Sequence, residues 1–236
     1  MRVAVIPARG GSKRIPGKNI KEFAGKPIIA WSISLAIKSG LFDRVIVSTD
    51  SDEIASVARD FGAETPFKRS KTLSDDFSTT NEVVKDCLEF LSQEGCDVTH
   101  ACCLYATAPL LQERYLQAGL ELVLTTNADF VFSATTFDFP PMRALRVNSA
   151  GIVEARFPEC IDQRSQDLEE LFHDAGQFYW GTTTSFVNGV SMYRQTARAI
   201  MIPRMFVQDI DTLEDWNHAE AMFDALATYR ESPRSR

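Results

Sequence analysis

Val3-Ala4-Val5-Ile6-Pro7, running on into Ala8-Arg9-Gly10-Gly11-Ser12-Lys13-Arg14-Ile15-Pro16-Gly17-Lys18-Asn19, decides how this chain folds. The apolar opening reads as a buried strand, short and without polar alternation. It empties into a loop that carries the cations Arg9, Lys13, Arg14 and Lys18 among the glycines Gly10, Gly11 and Gly17. Glycine lets backbone N–H groups approach and aim inward, and Arg and Lys neutralise charge, so the loop reads as a polyphosphate cradle. A merely solvated basic loop has little use for such glycines beside a buried strand. Two familiar phosphate fingerprints are absent. Gly17-Lys18 is followed by Asn19 rather than Ser or Thr, and Gly10-Gly11-Ser12 does not fit G-x-G-x-x-G. A Rossmann dehydrogenase fails with the second.

Outward from this loop, short apolar runs alternate with helical patterns. Strands are expected at Val3–Pro7, Arg44–Ser48, Thr99–Leu104 and Phe130–Ala134, and helices at Ile28–Ser39, Asp52–Phe61, Thr80–Ser92 and Glu113–Thr126. That alternation predicts a doubly wound α/β sheet, mostly parallel and covered by helices on both faces. Ligands of such sheets sit beyond the carboxyl ends of the strands, where the basic loop, Ser48-Thr49-Asp50 and Tyr105-Ala106-Thr107 all fall. The rhythm breaks near residue 137. Arg143–Ala155 reads as a hairpin turning at Asn148-Ser-Ala-Gly151, and 156–176 as polar and irregular. The expectation is one domain over 1–236, with 138–176 an excursion suited to a homodimer contact. The chain then returns through Phe178-Tyr179-Trp180 and Ile200–Val207, closes with a helix from Leu213 to Tyr229, and should fray over Glu231–Arg236.

Hydrophobic residues make up 44% and charged residues 24% of 236, as in a soluble globular protein. No apolar run approaches the ~20 residues that span a bilayer, and the chain enters its first strand with no signal-like segment, so a cytoplasmic protein is expected. Five cysteines, Cys87, Cys96, Cys102, Cys103 and Cys160, lack the spacing of a zinc site or a disulfide framework. A formal charge of −7 argues against nucleic acid or an anionic membrane as partner. Against that balance, the basic loop is a local concentration of positive charge.

Gln208-Asp209-Ile210-Asp211-Thr212 is the acidic counterpart. In an extended backbone Asp209 and Asp211 project to one face, and paired carboxylates beside a polyphosphate suit Mg²⁺, a hard ion that takes carboxylate and phosphate oxygens. The alternative makes Asp211 the cap of the closing helix, with Glu214 completing a capping box. Leu73-Ser-Asp-Asp-Phe-Ser-Thr-Thr80 opens a helix that Ser78, Thr79 or Thr80 can cap, and Asp50 or Ser51 can cap the helix after Ser48. In Phe172-His-Asp-Ala-Gly-Gln-Phe-Tyr-Trp-Gly181, His173, Asp174 and Gln177 offer hydrogen-bond donors and acceptors. Phe178, Tyr179 and Trp180 read as walls or as core.

Pro7 to Asn19 resembles the signature of the cytidylyltransferases that activate acidic nine-carbon sugars, approximately A-R-x-G-S-K-x-I-P-x-K-N. Ala8, Arg9, Gly11, Ser12, Lys13, Ile15, Pro16, Lys18 and Asn19 carry the match. The resemblance extends to about Trp216 through a D-I-D-T segment (Asp209 to Thr212), whose aspartates bind the metal in that family. It also includes an S-D-x-x-[ST]-[ST] turn preceded by an Arg, here Arg69, that contacts the pyrimidine. It implies a nucleotide-diphosphosugar transferase fold and a reaction of CTP with a nonulosonic acid, giving the CMP-sugar and pyrophosphate for surface glycan or flagellin glycosylation. Ala8, Arg9, Gly11, Ser12, Lys13, Lys18, Asn19, Arg69, Ser78, Thr80 and Thr107 would hold the nucleotide. Lys18, Arg9 and Asp211 would be catalytic, Asp209 and Asp211 would carry Mg²⁺, and one of these two would help deprotonate the sugar hydroxyl.

Leu104 to Leu111 departs from the sialic-acid pattern L-Q-P-T-S-P-L-R. Tyr105 replaces Gln, Ala106 replaces Pro, Ala108 replaces Ser and Leu111 replaces Arg, while Thr107, Pro109 and Leu110 agree. The segment His173 to Trp180 looks like the branch that activates pseudaminic acid. Tyr105, His173, Asp174, Gln177 and Tyr179 are accordingly the candidates for the sugar. Sialic, legionaminic or 3-deoxy-octulosonic acid remains the alternative within the family. A non-catalytic nucleotide-binding regulator is the alternative outside it.

Overall fold

A computed structural model describes residues 1–231. Ten strands occur in chain order: β1 (Arg2–Pro7), β2 (Glu22–Phe23), β3 (Lys26–Pro27), β4 (Arg44–Ser48), β5 (His100–Leu104), β6 (Phe130–Thr136), β7 (Leu145–Val147), β8 (Val153–Ala155), β9 (Phe172–Thr182) and β10 (Arg198–Met201). The helices are α1 (Ile28–Lys38), α2 (Asp52–Asp60), α3 (Thr80–Gln93), α4 (Glu113–Thr125), α5 (Thr183–Val187) and α6 (Leu213–Glu231). The central sheet has the order β10–β6–β9–β5–β1–β4. β1 pairs in parallel with β4 and β5, and β10 with β6. β9 alone runs antiparallel, between β5 and β6.

The apolar run of β1 is buried on both sides because successive side chains enter different layers. Val3 and Val5 pack with Cys103 and Tyr179 against Val84, Leu88 and Leu91 of α3. Ala4 and Ile6 pack with Cys102, Leu104 and Trp180 against Ile29 and Ile33 of α1 and Leu116 and Leu120 of α4. Gly119 lets α4 settle directly on β9, since a Cβ there would sit 2.7 Å from Phe178 and 2.8 Å from Trp180. Trp180, expected to be wall or core, is core, and its indole donates to the Leu116 carbonyl at 3.0 Å.

Three departures from the sequence reading have physical causes. β9 begins at Phe172, inside the stretch expected to be irregular, because Thr136, Thr135 and Ala134 supply strand partners for Phe172, His173 and Asp174. His173 and Asp174 near its start are polar and border a cavity rather than the core. The return over Ile200–Val207 is a strand only through Met201; Pro203 then starts a 3₁₀ turn at Arg204–Phe206. The small hairpin of β2 and β3 went unseen, its turn held by Ala24 and Gly25 at positive φ.

In the excursion, β7 and β8 form the expected hairpin, with the Asn148 carboxamide oxygen accepting from the Ala150 and Ile152 amides at 2.9 and 3.0 Å. The five cysteines are free thiols. No helix of the described residues is long and apolar enough to cross a membrane. Of the stretch expected to fray, Glu231 ends α6 and residues 232–236 lie outside the described residues.

Candidate active site

The loop after β1 is fixed by atoms of neighbouring strands before any ligand arrives. The Ala8 amide donates to Ser48 at 3.0 Å, and the Gly10 amide donates to Asp50 Oδ1 at 2.9 Å. A side chain at Gly10 would meet Ser51 Cβ at 3.1 Å, so glycine permits the approach. Ser51 caps α2, which leaves Asp50 free for this anchoring task. Gly17 turns the chain at φ +63°, and Asn19, nearly buried, donates to the Arg9 carbonyl at 3.0 Å.

A third apolar cluster joins this loop to the far end of the chain. Ile15 of the loop and Ile210 are 1% and 0% exposed in one cluster with Phe23, Ile28, Trp216 and Ala219. Burying two such isoleucines is worth ~1.5–3 kcal/mol each. That contact brings the acidic segment to the basic one. Lys18 Nζ donates to the Ile210 carbonyl at 2.6 Å and lies 3.5 Å from Asp211 Oδ1, while Arg14 pairs with Asp211 at 2.8 Å. Asp211 is not the helix cap. Thr212 and Asp215 cap α6 reciprocally, Thr212 N donating to Asp215 Oδ2 at 2.7 Å and Asp215 N to Thr212 Oγ1 at 3.2 Å.

A cavity of about 410 Å³ opens over this junction. Arg9, Ser12, Lys13, Lys18, Asn19, Arg69, Ser78, Thr80, Tyr105, Thr107, Asp209 and Asp211 line it. Ala8 and Gly11 do not; Ala8 is buried in the core just past the end of β1 and Gly11 is exposed. Sequence reasoning missed Asp75 and Asp76, which complete the wall. Arg9 donates to the Asp75 carbonyl at 2.6 Å and pairs with Asp76 at 2.8 Å, and Lys13 also pairs with Asp76. Those two cations, Lys13 foremost, hold the Asp76 carboxyl below the usual carboxylate range. The signal was present in the charge pattern: a Ser-Asp-Asp turn of opposite sign to the loop.

The rest of that segment sorts itself by hydrogen bonding. Thr79 caps α3 in a capping box with Glu82, and Ser78 Oγ donates to Asp75 Oδ1 at 2.7 Å. Thr80 is thereby left to face Tyr105, the two hydroxyls 3.2 Å apart. Arg69 is 4% exposed, with Nε donating to Ser74 Oγ at 3.1 Å. Burial lowers its pKa, opposed by Asp50, and no ion pair to it occurs among the described residues. A buried guanidinium with carboxylates nearby but none in contact favours an acceptor-rich ligand.

A second cavity of about 1000 Å³ adjoins the first, sharing Tyr105 and Asp209 with it. His173, Asp174 and Tyr179 line it; Gln177 does not. Gln177 is 2% exposed and donates to the Phe206 carbonyl at 2.5 Å, tying the 3₁₀ turn to the sheet. His173 Nδ1 lies 2.8 Å from the Asp174 carbonyl, an acceptor only, so Nδ1 carries the proton and Nε2 faces elsewhere. Asp174 is saturated on one oxygen: Oδ2 accepts from Tyr179 at 2.5 Å and Tyr193 at 2.8 Å, while Oδ1 accepts from Gly176 N at 2.8 Å. Burial and this carboxylate push both phenols upward, so they stay protonated donors. Tyr193, on the segment before β10, was invisible to sequence reasoning because nothing local marks it.

Asp209 borders both cavities. Desolvation and then the charge of Asp211 raise its carboxyl, which Lys18 opposes. Its side chain has no hydrogen bond or ion pair among the described residues. Among the described residues no group of three or more metal-ligating side chains occurs, so a divalent cation here would rest on these two carboxylates and on the oxygens of a bound ligand.

An α/β sheet with a cationic loop and an acidic pair at its carboxyl edge, opening on two joined cavities, defines a nucleotide-handling transferase. A family model described as cytidylyltransferase matches residues 3–225, and the chain belongs to that family. It is 42% identical over 221 residues to the pseudaminic acid cytidylyltransferase of Campylobacter jejuni, covering 94% of this chain and 95% of that one. It is 32% identical over 232 residues to the CMP-N,N'-diacetyllegionaminic acid synthase of Legionella pneumophila, covering 95% and 97%. A solved CMP:2-keto-3-deoxy-manno-octonic acid synthetase shares the fold, with a TM-score of 0.70 at 17% identity over 95% of this chain and 99% of that one.

Proposed function

We propose that this cytidylyltransferase joins CMP from CTP to a nonulosonic acid, with pseudaminic acid the favoured substrate and pyrophosphate the by-product. The observation that carries the reading is the meeting of the two cavities at Tyr105 and Asp209. One is lined by the cations a triphosphate requires, and the other is large enough for a nine-carbon acid. The 42% identity to a pseudaminic acid cytidylyltransferase supports that sugar over sialic acid.

In this reading Arg9, Lys13 and Lys18 hold the phosphates, with Ser12 and Asn19 beside them. Arg69, Ser78, Thr80 and Thr107 receive the pyrimidine nucleoside. The anomeric hydroxyl attacks the α-phosphorus in line, the bond to the β-phosphate breaks, and the hydroxyl proton passes to Asp209 or Asp211. Lys18 neutralises charge developing on the departing pyrophosphate. Asp209 and Asp211 would hold Mg²⁺, which when bound supplies charge neutralisation at the phosphates. His173, Asp174 and Tyr179 contact the sugar, while Gln177 acts through the Phe206 carbonyl.

The test is pyrophosphate release from CTP with pseudaminic, sialic, legionaminic and 3-deoxy-octulosonic acids, with Mg²⁺ and with a chelator. Fastest turnover of pseudaminic acid, abolished by the chelator, is expected. Sialic acid turning over best would overturn the sugar assignment. Tight CTP binding without turnover of any acid would favour the non-catalytic reading. A homodimer through 138–176 is also proposed, supported by the exposed Phe139, Leu145, Val147, Ile152 and Val153 in that excursion. A monomer by light scattering would refute it.

A further inference from the structure

An acid sugar brings a carboxylate into the second cavity, and that cavity is already acidic. Asp138, Asp174 and Asp209 all line it. Asp209 is proposed above to hold Mg²⁺, but Asp138 and Asp174 remain, and bringing a further anion beside those two is unfavourable without a cation on their side of the cavity. Among the described residues lining the cavity, Arg204 is the single Arg or Lys. Histidines also line it, but a histidine is no permanent cation.

Arg204 sits on the 3₁₀ turn Arg204–Phe206, five residues before Asp209, and Gln177 ties that turn to β9 through the Phe206 carbonyl. Its guanidinium is half engaged. Nη1 donates to the Phe137 carbonyl at 3.0 Å, and Nε pairs with Asp138 at 3.0 Å. A guanidinium has five N–H donors in a fixed fork, so donors remain for a carboxylate, and the Asp138 carboxylate shows how one docks there. Both Arg204 and Asp138 are exposed, so their mutual pairing is worth little and can be exchanged.

We infer that Arg204 is the receptor for the carboxylate of the acid sugar, with Asp138 occupying its place in the free protein. The inference rests on the acid-sugar reading above and adds a binding residue to it. Arg204 thus reads the feature that separates acid sugars from neutral ones, while the polar groups around Asp174 read hydroxyl and amide positions.

The experiment measures KM for the acid sugar at saturating CTP, and KM for CTP, in the wild type, Arg204→Gln, Arg204→Lys and Asp138→Asn. The C1-carboxamide of the same sugar serves as a competitive ligand without the charge. Arg204→Gln should raise KM for the acid by ~10- to 100-fold, the range of a charge-assisted hydrogen-bonded contact. Arg204→Lys should recover part of the loss. KM for CTP and the inhibition constant of the carboxamide should stay put. Asp138→Asn should lower KM for the acid, by up to ~fivefold. An unchanged KM for the acid in Arg204→Gln, or equal losses for acid and carboxamide, would overturn the assignment, and so would a raised KM in Asp138→Asn. CTP binding by calorimetry reports folding of each variant. A wild type that turns over no acid sugar would bring down the acid-sugar reading itself, an outcome distinct from variants that fail to discriminate.

Discussion

The cavity proposed for the nucleotide and the cavity proposed for the sugar are built on different plans. The first draws four of its five lining cations from one run, Arg9 to Lys18, with Arg69 the fifth, and its carboxylates from two short segments, Asp75–Asp76 and Asp209 to Asp211, the latter joined to the loop by the buried contact of Ile15 with Ile210. The second is assembled from the end of β6 and the residues after it, the start of β9, the segment 204–209, α6 and Tyr105, so that no single stretch of chain supplies it. A triphosphate is recognised by charge density, which a contiguous loop can supply. A sugar is recognised by the placing of single donors and acceptors, which the whole fold must supply.

The comparison is broken most severely at Lys18, where the two runs of the nucleotide cavity meet. Lys18→Met should lower kcat by ~10²- to 10³-fold, the usual cost of removing one group aimed at developing charge. The fold should survive, since the cluster around Ile210 does not depend on the ammonium group. Circular dichroism together with single-turnover rates checks both halves. A variant with near-normal kcat would mean that the loop binds phosphate without catalysing its transfer.

Arg69 comes next, because its guanidinium is buried in that cavity and, among the described residues, makes one side-chain hydrogen bond, to Ser74. Arg69→Gln should raise the Kd for CTP by ~10-fold or more, as loss of a charge-assisted contact does, and leave Kd for the acid sugar alone. Equal losses for both ligands by calorimetry would mean that Arg69 supports the sheet edge rather than the nucleotide.

The same division explains what was legible in the sequence. The strands β1 and β4 and the helices α1 to α4 follow from apolar period and capping residues, so their bounds lie within two residues of expectation. The phosphate loop was legible because its charges and glycines are contiguous. The polar start of β9 was not, because His173 and Asp174 join a strand only when β6 offers them partners. Gln177 looked like a sugar ligand from its neighbours, yet the strand turns it away from the cavity and onto the Phe206 carbonyl. Tyr193, Asp76 and Arg204 gain meaning only from residues 19 to 67 positions away in the chain.

Behind the second cavity, where Tyr193 supports Asp174 without lining the space itself, Tyr193→Phe sharpens the comparison. It removes one of two phenolic donors from Asp174 Oδ2 and leaves the ring against Phe132 in place. The expected result is a severalfold rise in KM for the acid sugar, with kcat and KM for CTP unchanged. A rise confined to CTP would place Tyr193 in the other cavity's service.

The smallest effect belongs to Asp76, and its sign is opposite to the others. Asp76 pairs with Arg9 and Lys13, the groups proposed to hold the phosphates, so in that reading it competes with the nucleotide for them. Asp76→Asn should therefore tighten CTP binding, by no more than ~fivefold because these are exposed ion pairs. Its carboxyl lies below the usual range, so it is ionised at neutral pH, and the pairing is lost only as pH falls through that depressed value. The advantage of the asparagine variant should accordingly stay level across the neutral range and shrink in acid. It should also shrink with added salt, which screens exposed pairs. Weaker CTP binding in Asp76→Asn, measured by calorimetry at neutral pH, would mean that this carboxylate orients the loop for the nucleotide instead of contesting its place.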